Sequence, residues 1–404
     1  MVLNSFLQDN LPFNDDLLPD GCYLVGGAVR DVLLQRSREY LDLDFVLPHH
    51  AIETAKTISR KYQAGFVVLD SLRHIARVVF PTATIDFAQQ EGNSIDVDLA
   101  RRDYTINAIA FHCREQKILD PFNGEEDIKK GIIRMISRDN LADDPLRLMR
   151  GYRQASQLNF TIESVTRATI RELKDLLHNV AMERVNQELA YLFTTEKGSY
   201  WLTEAYKDGL LSVCFPSVTA NMVNLLSVID EAAQFLSNKY SHYFSKDYSW
   251  YKEAKLACLI NQNYTVAELE LINLKYSRQE IKAVLTILQF YQNLKDSDFI
   301  DNKRKQYFFF KSVSDFFPCL AVFALANNIS QDLIISLMDL YLDPEDAIAH
   351  PQPILSGNDI MKNLNISPSP LIGELLTEVH IAYIEGKIEN KLDALDFIHN
   401  NYRT

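Results

Sequence analysis

The chain has 404 residues, more than one hydrophobic core usually accommodates, so two or more domains are expected. Its composition, 47% hydrophobic and 24% charged, is that of an ordinary soluble globular protein. A formal net charge of −13 argues against a protein that coats long stretches of nucleic acid, so any such contact must use local basic patches.

The first residues, MVLNSFLQDNLPFNDD, lack the basic region and long apolar core of a signal peptide. Residues 21–137 read as mixed α/β. Tyr23–Val25, Phe66–Leu69, Ala76–Phe80 and Thr84–Phe87 are predicted strands, and Ala51–Tyr62 has helical spacing. From about Asp144 the texture becomes helical, with apolar residues at i, i+3, i+4 and i+7 over 145–158, 163–177, 182–193, 221–239, 266–293 and 331–342. The longest apolar run, Phe316 to Ala326, contains Pro318 and is too short to span a bilayer. The five cysteines, Cys22, Cys113, Cys214, Cys258 and Cys319, form no Cys-x-x-Cys pair. Buried thiols in a reducing cytoplasm are expected, and no zinc site, membrane or protein partner.

Four segments carry chemistry. In Leu24-Val25-Gly26-Gly27-Ala28-Val29-Arg30-Asp31 a strand runs into two glycines and a helix. Glycines allow close backbone approach, helix-start N–H groups suit a phosphate, and Arg30 could add a charged fork. A tight turn with a surface arginine is the plainer alternative. In Leu41-Asp42-Leu43-Asp44-Phe45-Val46 the two carboxylates share one strand face and repel unless a cation neutralises them. Hard carboxylates beside phosphate suggest Mg²⁺; an exposed acidic strand edge is the alternative. A glycine turn followed closely by Asp-x-Asp is what two-metal phosphoryl transfer requires. Asp86, on a further strand, could join the cluster and activate an attacking hydroxyl, or be an ordinary surface acid.

Arg101-Arg102-Asp103-Tyr104-Thr105-Ile106-Asn107-Ala108-Ile109-Ala110 reads as a helix start entering the core, with Asp103 a possible cap, and Asp120-Pro121-Phe122-Asn123-Gly124 as a turn. In Asp143-Asp144-Pro145-Leu146-Arg147-Leu148-Met149-Arg150-Gly151-Tyr152-Arg153, Asp144 is the expected N-cap and Pro145 the first helical residue. Arginines then recur every three residues. At about 100° per residue, Arg147 neighbours Asp144, Arg150 lies further round and Arg153 is nearly opposite. Basic patches for a nucleic-acid backbone include Lys129/Lys130, Arg134/Arg138 and Lys303-Arg304-Lys305, each of which also reads as a solvated cluster.

GGAVRD, LDLD, RRDYTINAIA, DPFNG, DDPLRLMRGYRQASQLNF and ERVNQEL occur in order over residues 21–190. Together they resemble the class II tRNA nucleotidyltransferase and poly(A) polymerase family. The resemblance implies an α+β chain: a polymerase-beta-like nucleotidyltransferase head with a mixed β-sheet over 1–137, a helical neck over 138–200 for nucleotide selection, and an all-α body and tail over 201–404 that hold tRNA. It implies that Gly26, Gly27 and Arg30 hold the triphosphate and that Asp42 and Asp44 bind two Mg²⁺ ions. Arg102 and Asp103 would contact the nucleotide's ribose and phosphates. Asp144 and Arg147 would select the base, and Arg150 and Arg153 would neutralise the triphosphate or orient the selecting pair. The substrates implied are tRNA, ATP and CTP, with poly(A) synthesis as the alternative activity.

The selection role has a physical basis, because aspartate only accepts and arginine only donates hydrogen bonds. Such a pair matches cytosine and, slightly rearranged, adenine, and leaves polar groups unpaired against uracil or guanine. Three departures from the family pattern matter. Asp143-Asp144 stands where Glu-Asp is common. The link between Asp86 and Arg102 is shorter than the flexible loop of many complete CCA-adding members, which leaves an enzyme adding only A or only CC open. Leu72-Arg73-His74-Ile75-Ala76-Arg77-Val78-Val79-Phe80 lacks the basic-basic-Phe stretch usual in the poly(A) branch, which argues against that activity.

Overall fold

A computed structural model of the chain describes residues 2–36, 39–244 and 249–402. It divides into two compact units, Met1–Leu192 with Lys207–Val213, and Phe193–Tyr206 with Cys214–Thr404.

The first unit opens with α1 (Val2–Asn10), β1 (Tyr23–Val25), α2 (Gly27–Leu33), β2 (Leu41–Leu47) and α3 (Ala51–Tyr62). β3 (Gly65–Asp70), β4 (Ile75–Val79), β5 (Ala83–Gln89) and α4 (Ile95–Ala100) follow. Next come β6 (Ala110–His112), β7 (Lys117–Leu119), α5 (Gly124–Lys130), β8 (Ile132–Ile133) and α6 (Arg138–Asp143). The unit continues through α7 (Leu146–Leu158), β9 (Thr161–Ile162), α8 (Ser164–Leu173) and α9 (Met182–Phe193). Seven strands form one sheet in the order β3-β4-β5-β2-β1-β6-β7. β2 and β5 pair in parallel and the other neighbours antiparallel, so the sheet is mixed as expected.

Strand alternation splits this sheet into two faces. Leu43, Phe45, Ile85, Phe87, Ala76 and Val78 are fully or almost fully buried, and α3 packs against β4 and β5. Phe45 and Phe87 stack with ring centroids 5.5 Å apart. The residues between them, Asp42, Asp44 and Asp86, project from the opposite face. The core side thus fixes the register, and the register delivers the acids.

Two expectations for the first unit are corrected. Residues 101–110 are not a helix: α4 ends at Ala100, Thr105–Asn107 is a single 3₁₀ turn, and Ala110 begins β6. The Asp103 carboxylate accepts from the Tyr104 backbone N–H (2.8 Å) and from Asn107 Nδ2 (2.9 Å), which folds the segment into a polar loop. Asp144 does not cap α7 with its side chain. Pro145 occupies the cap position with no side-chain hydrogen bond, and Asp144 instead ends α6, whose own cap is Ser137.

The second unit is helical: α10 (Gly198–Lys207), α11 (Leu210–Cys214, which straddles the division), α12 (Ala220–Lys239), α13 (Lys252–Leu259), α14 (Tyr264–Asn273), α15 (Arg278–Phe290), α16 (Lys303–Val313), α17 (Phe317–Ala326), α18 (Gln331–Leu342), α19 (Gly357–Leu364), α20 (Pro370–Ile384) and α21 (Lys391–Asn401). The expected single helix over 266–293 is two, because Lys275 turns left-handed (φ 60°) and Ser277 with Glu280 forms a capping box. The apolar run is α17, a central helix wrapped by α12, α13, α15 and α18, with Pro318 in its first turn. Lys303–Ala326 has the length and apolarity of a membrane span, yet 56% of its most apolar window is buried inside the fold, as in a core helix. All five cysteines are free thiols, four of them buried.

Candidate active site

The central strands bring the acids together. Asp44 on β2 stands in register with Asp86 on β5, and Asp42 lies two residues along β2 on the same face. Burial pushes the Asp44 carboxyl up to about 6, the Asp42 charge adds to the shift, and Arg102 opposes it. Two carboxylates placed side by side in this way fit a divalent cation. Asp86 is engaged differently: Arg77 on β4 donates to both its oxygens, at 2.7 and 2.8 Å. Of these three acids, the carboxylates on the cleft wall are the Asp42/Asp44 pair, and Mg²⁺ needs only one or two carboxylates when substrate phosphates complete its shell. Among the described residues no three His, Cys, Asp or Glu side chains converge as a preformed cage.

The glycine turn borders this pair. Gly26 has φ 72°, in the left-handed region, and a Cβ there would stand 3.2 Å from Arg102 Nη1 and 3.5 Å from Asp44 Oδ2. Arg102 in turn donates to Asp98 (3.3 Å) and to the Asn107 carbonyl (3.4 Å). Its Nε is buried with no partner in the chain, a donor that a ligand oxygen would satisfy.

A cleft of about 590 Å³ joins these residues to α7. It is lined by Gly27, Arg30, Asp42, Asp44, Arg102, Asp103, Asp144, Arg147, Arg150 and Arg153, and not by Gly26 or Asp86. Arg30 is 8% exposed and its fork is engaged: Nε and Nη2 donate to Asp31 (3.0 and 2.8 Å) and Nη1 to Asn107 (2.8 Å). Arg147 Nη1 donates to the carbonyls of Arg101 (2.8 Å) and Asn140 (2.9 Å), so it does not bond the Asp144 carboxylate. Arg153 donates to Glu188 and, at 2.6 Å, to Gln157, with its guanidinium 5.5 Å from the centroid of the Tyr191 ring.

Arg150 Nε donates to Asp103 Oδ2 at 2.9 Å. Burial alone would raise the Asp103 carboxyl, but the Arg150 charge and the bonds from Asn107, Tyr104 N–H and Arg150 outweigh it and bring it down to about 2. A depressed carboxylate stabilises the fold above its ordinary value near 4 and loses that contribution as pH falls towards 2. Asp103→Asn should therefore cost roughly 2 kcal/mol at pH 7. The gap between wild type and variant should narrow as pH falls from about 4 to about 2, which denaturation curves at stepped pH will show. A gap independent of pH would contradict this assignment.

Residue patterning missed several groups in or next to the same cleft. Asn107 bridges Arg30, Asp103 and Gln154. Glu188 and Tyr191 reach it from α9. Arg184, also on α9, approaches both Asp144 oxygens at 3.3 and 3.4 Å. The quoted segments hold four of these groups, Arg184 and Glu188 in ERVNQEL, Asn107 in RRDYTINAIA and Gln154 in DDPLRLMRGYRQASQLNF, but no spacing rule singles them out. The expected basic patches are largely neutralised. Lys130 pairs with Glu126, Arg134 with Asp127 and Glu163, Arg138 with Glu172, Arg304 with Glu378, and Lys305 with Asp296 and Asp298.

Comparison with known proteins identifies the architecture. The family described as "Poly A polymerase head domain" matches residues 22–134. "Probable RNA and SrmB- binding site of polymerase A" matches 159–222, and "tRNA nucleotidyltransferase domain 2 putative" matches 247–398. A CC-adding tRNA nucleotidyltransferase of Synechocystis is 46% identical over 399 residues, covering 97% of this chain and 96% of its own. The chain belongs to the class II tRNA nucleotidyltransferase family. A CCA-adding enzyme of Levilactobacillus brevis is 27% identical, covering 92% of each chain. A solved CCA-adding enzyme in complex with ATP superposes with TM-score 0.75 at 21% identity, covering 95% of this chain and 91% of its own. A Thermotoga maritima CCA-adding enzyme complexed with tRNA gives TM-score 0.72 at 21% identity, covering 95% and 91%. At that identity the likeness concerns the fold, which is the mixed-sheet head and helical remainder expected of the family. This transferase therefore carries Asp42 and Asp44 on β2 and Arg147, Arg150 and Arg153 on α7, and all five line one cleft.

Proposed function

We propose that this nucleotidyltransferase adds two cytidylates to the 3′ end of tRNA from CTP, releasing pyrophosphate, and leaves the terminal adenylate to another enzyme. The observation that carries the reading is the 46% identity, over nearly the whole chain, with a CC-adding enzyme. The short link supports it: only residues 90–94 separate β5 from α4, where complete CCA-adding members often carry a long flexible loop. Head, neck, and body with tail would correspond to 1–137, 138–200 and 201–404, and the location would be cytoplasmic.

In the reaction the tRNA 3′ oxygen bonds the α-phosphorus of CTP and the bond to pyrophosphate breaks. Asp42 and Asp44 would hold Mg²⁺, which supplies charge neutralisation at the attacking and departing oxygens. Asp86, clamped by Arg77 and in register with Asp44, would support the pair from the neighbouring strand. The backbone of Gly26 and Gly27 and the unpartnered N–H of Arg102 would receive the triphosphate, while Arg30 and Asp103 shape the wall and aim Arg150 at it. Arg153 would add positive potential further along the cleft. Asp144 and Arg147 would read the base.

With tRNA already ending in CC and ATP as the sole nucleotide, no adenylate should be incorporated. Stoichiometric addition of one adenylate would make the chain a complete CCA-adding enzyme and overturn the restricted reading.

A further inference from the structure

The base-selecting pair proposed above has a third member. We infer that Arg184 is a specificity-determining positioning residue, which fixes the Asp144 carboxylate so that cytosine is accepted and uracil refused. The inference rests on the assignment of Asp144 and Arg147 to base selection.

The donor and acceptor accounting leads there. Arg147 commits Nη1 to the carbonyls of Arg101 and Asn140, so that edge of its fork is fixed by the main chain. Its carbonyl also accepts from the Tyr104 hydroxyl at 2.7 Å, which anchors the turn carrying it. Its remaining N–H groups are available to the ring nitrogen and carbonyl of cytosine, both acceptors. The cytosine amino group needs an acceptor, and Asp144 is the carboxylate beside Arg147 on the cleft wall.

The Asp144 carbonyl accepts from the Arg147 backbone N–H at 2.9 Å, but its carboxylate has no comparable main-chain anchor. It leaves α6 with extended backbone and does not cap α7 through its side chain. What reaches its carboxylate from another element is Arg184 Nη2, split between the two oxygens at 3.4 and 3.3 Å. Those long contacts orient the group without consuming it, because a carboxylate offers about four lone-pair positions. An amino donor can still bind. Arg184 does not line the cleft, so it acts through Asp144 rather than on the base.

Fixation decides selectivity. A uracil carbonyl placed against a fixed carboxylate meets acceptor with acceptor, and the mismatch excludes it. A carboxylate free to swing away leaves that carbonyl unopposed, so uracil becomes tolerable while cytosine loses a bond. Arg184 is half exposed, so its replacement removes no core packing.

The test compares wild type, Arg184→Ala, Arg184→Lys, Asp144→Ala and the Arg184→Ala/Asp144→Ala double variant. Steady-state kinetics with CTP and with UTP are read on tRNA lacking its CCA end. Arg184→Ala should lower the CTP-over-UTP ratio of kcat/KM about tenfold, chiefly through the KM for CTP. Arg184→Lys should recover part of the ratio, and the double variant should match Asp144→Ala. An equal loss with both nucleotides, or additive effects in the double variant, would overturn the inference and leave Arg184 as a surface ion pair. If Asp144→Ala itself leaves the ratio unchanged, the base-selection reading fails first.

Discussion

Asp44→Asn should abolish turnover while making the protein more stable. Catalysis by a bound metal pair supplies several kcal/mol of transition-state stabilisation, so kcat should fall about a thousandfold or more. Stability moves the other way. Folding raises the Asp44 carboxyl from its ordinary value to about 6, through burial and then the Asp42 charge. A raised carboxyl opposes folding wherever it is ionised in both states, here above about pH 6, and the penalty disappears as pH falls towards 4. Asparagine never ionises, so in the presence of a chelator the variant should gain roughly 1–2 kcal/mol at pH 7 after allowance for solvent contact, and nothing near pH 4. Added Mg²⁺ should stabilise the wild type and not the variant. Denaturation curves with chelator and with Mg²⁺, beside single-turnover kinetics, read all three effects. A variant that loses activity and stability together at every pH would indicate a structural acid.

Gly151→Ala should damage both fold and activity through one contact. Gly151 lies on α7 with its missing Cβ aimed at Tyr104, where the added carbon would stand 2.4 Å from the hydroxyl and 3.1 Å from Cζ. Tyr104 is fully buried, and its hydroxyl donates to the Arg147 carbonyl at 2.7 Å, so the ring has nowhere to retreat. Alanine is the better helix former by about 1 kcal/mol, but overpacking a rigid site costs about 1–3 kcal/mol and more at so short an approach. The net expectation is a loss of about 2 kcal/mol, seen as a fall in Tm of several degrees. If α7 moves instead, Arg147 and Arg150 move with it, and a displacement near 1 Å is enough to cut kcat/KM by about a hundredfold. Adding Tyr104→Phe removes the atom in closest contact and should restore part of both. Failure of that rescue would place the strain elsewhere.

Much of the head was legible because its signals are local. The strands announced themselves by alternation, and the same alternation put Asp42 and Asp44 on one face. Ala51–Tyr62, 182–193 and 331–342 have the helical bounds their spacing predicts. The site's supporting network was not legible, because its bonds join residues far apart in sequence. Arg30 meets Asn107 across 77 positions, Arg150 meets Asp103 across 47 and Arg184 meets Asp144 across 40. No spacing rule connects such pairs. The polar loop after Arg101 looks like a helix start in the sequence, because one of the groups that hold Asp103, Arg150, is on α7, and the local bonds from Tyr104 N–H and Asn107 cannot be read from residue types. The break at Lys275 was legible in part: Ser277-x-x-Glu280 spells a capping box, while nothing about a lysine announces a left-handed backbone. Residues 207–213 cluster with the first unit because Asp208 accepts from Tyr152 (2.6 Å) on α7 and from Arg167 and Arg171 (2.5 and 2.6 Å) on α8, a return of the chain that composition does not signal.

On the proposed reading, the cleft between the paired aspartates and α7 builds CC on tRNA. That reading is tested most directly by supplying tRNA that ends at the discriminator base with Mg²⁺ and all four nucleoside triphosphates, then sequencing the 3′ ends. Ends of CC, absent when Asp44 is replaced by asparagine, are the predicted result. Ends of CCA, runs of A, or CC ends that persist in the Asp44 variant would contradict it.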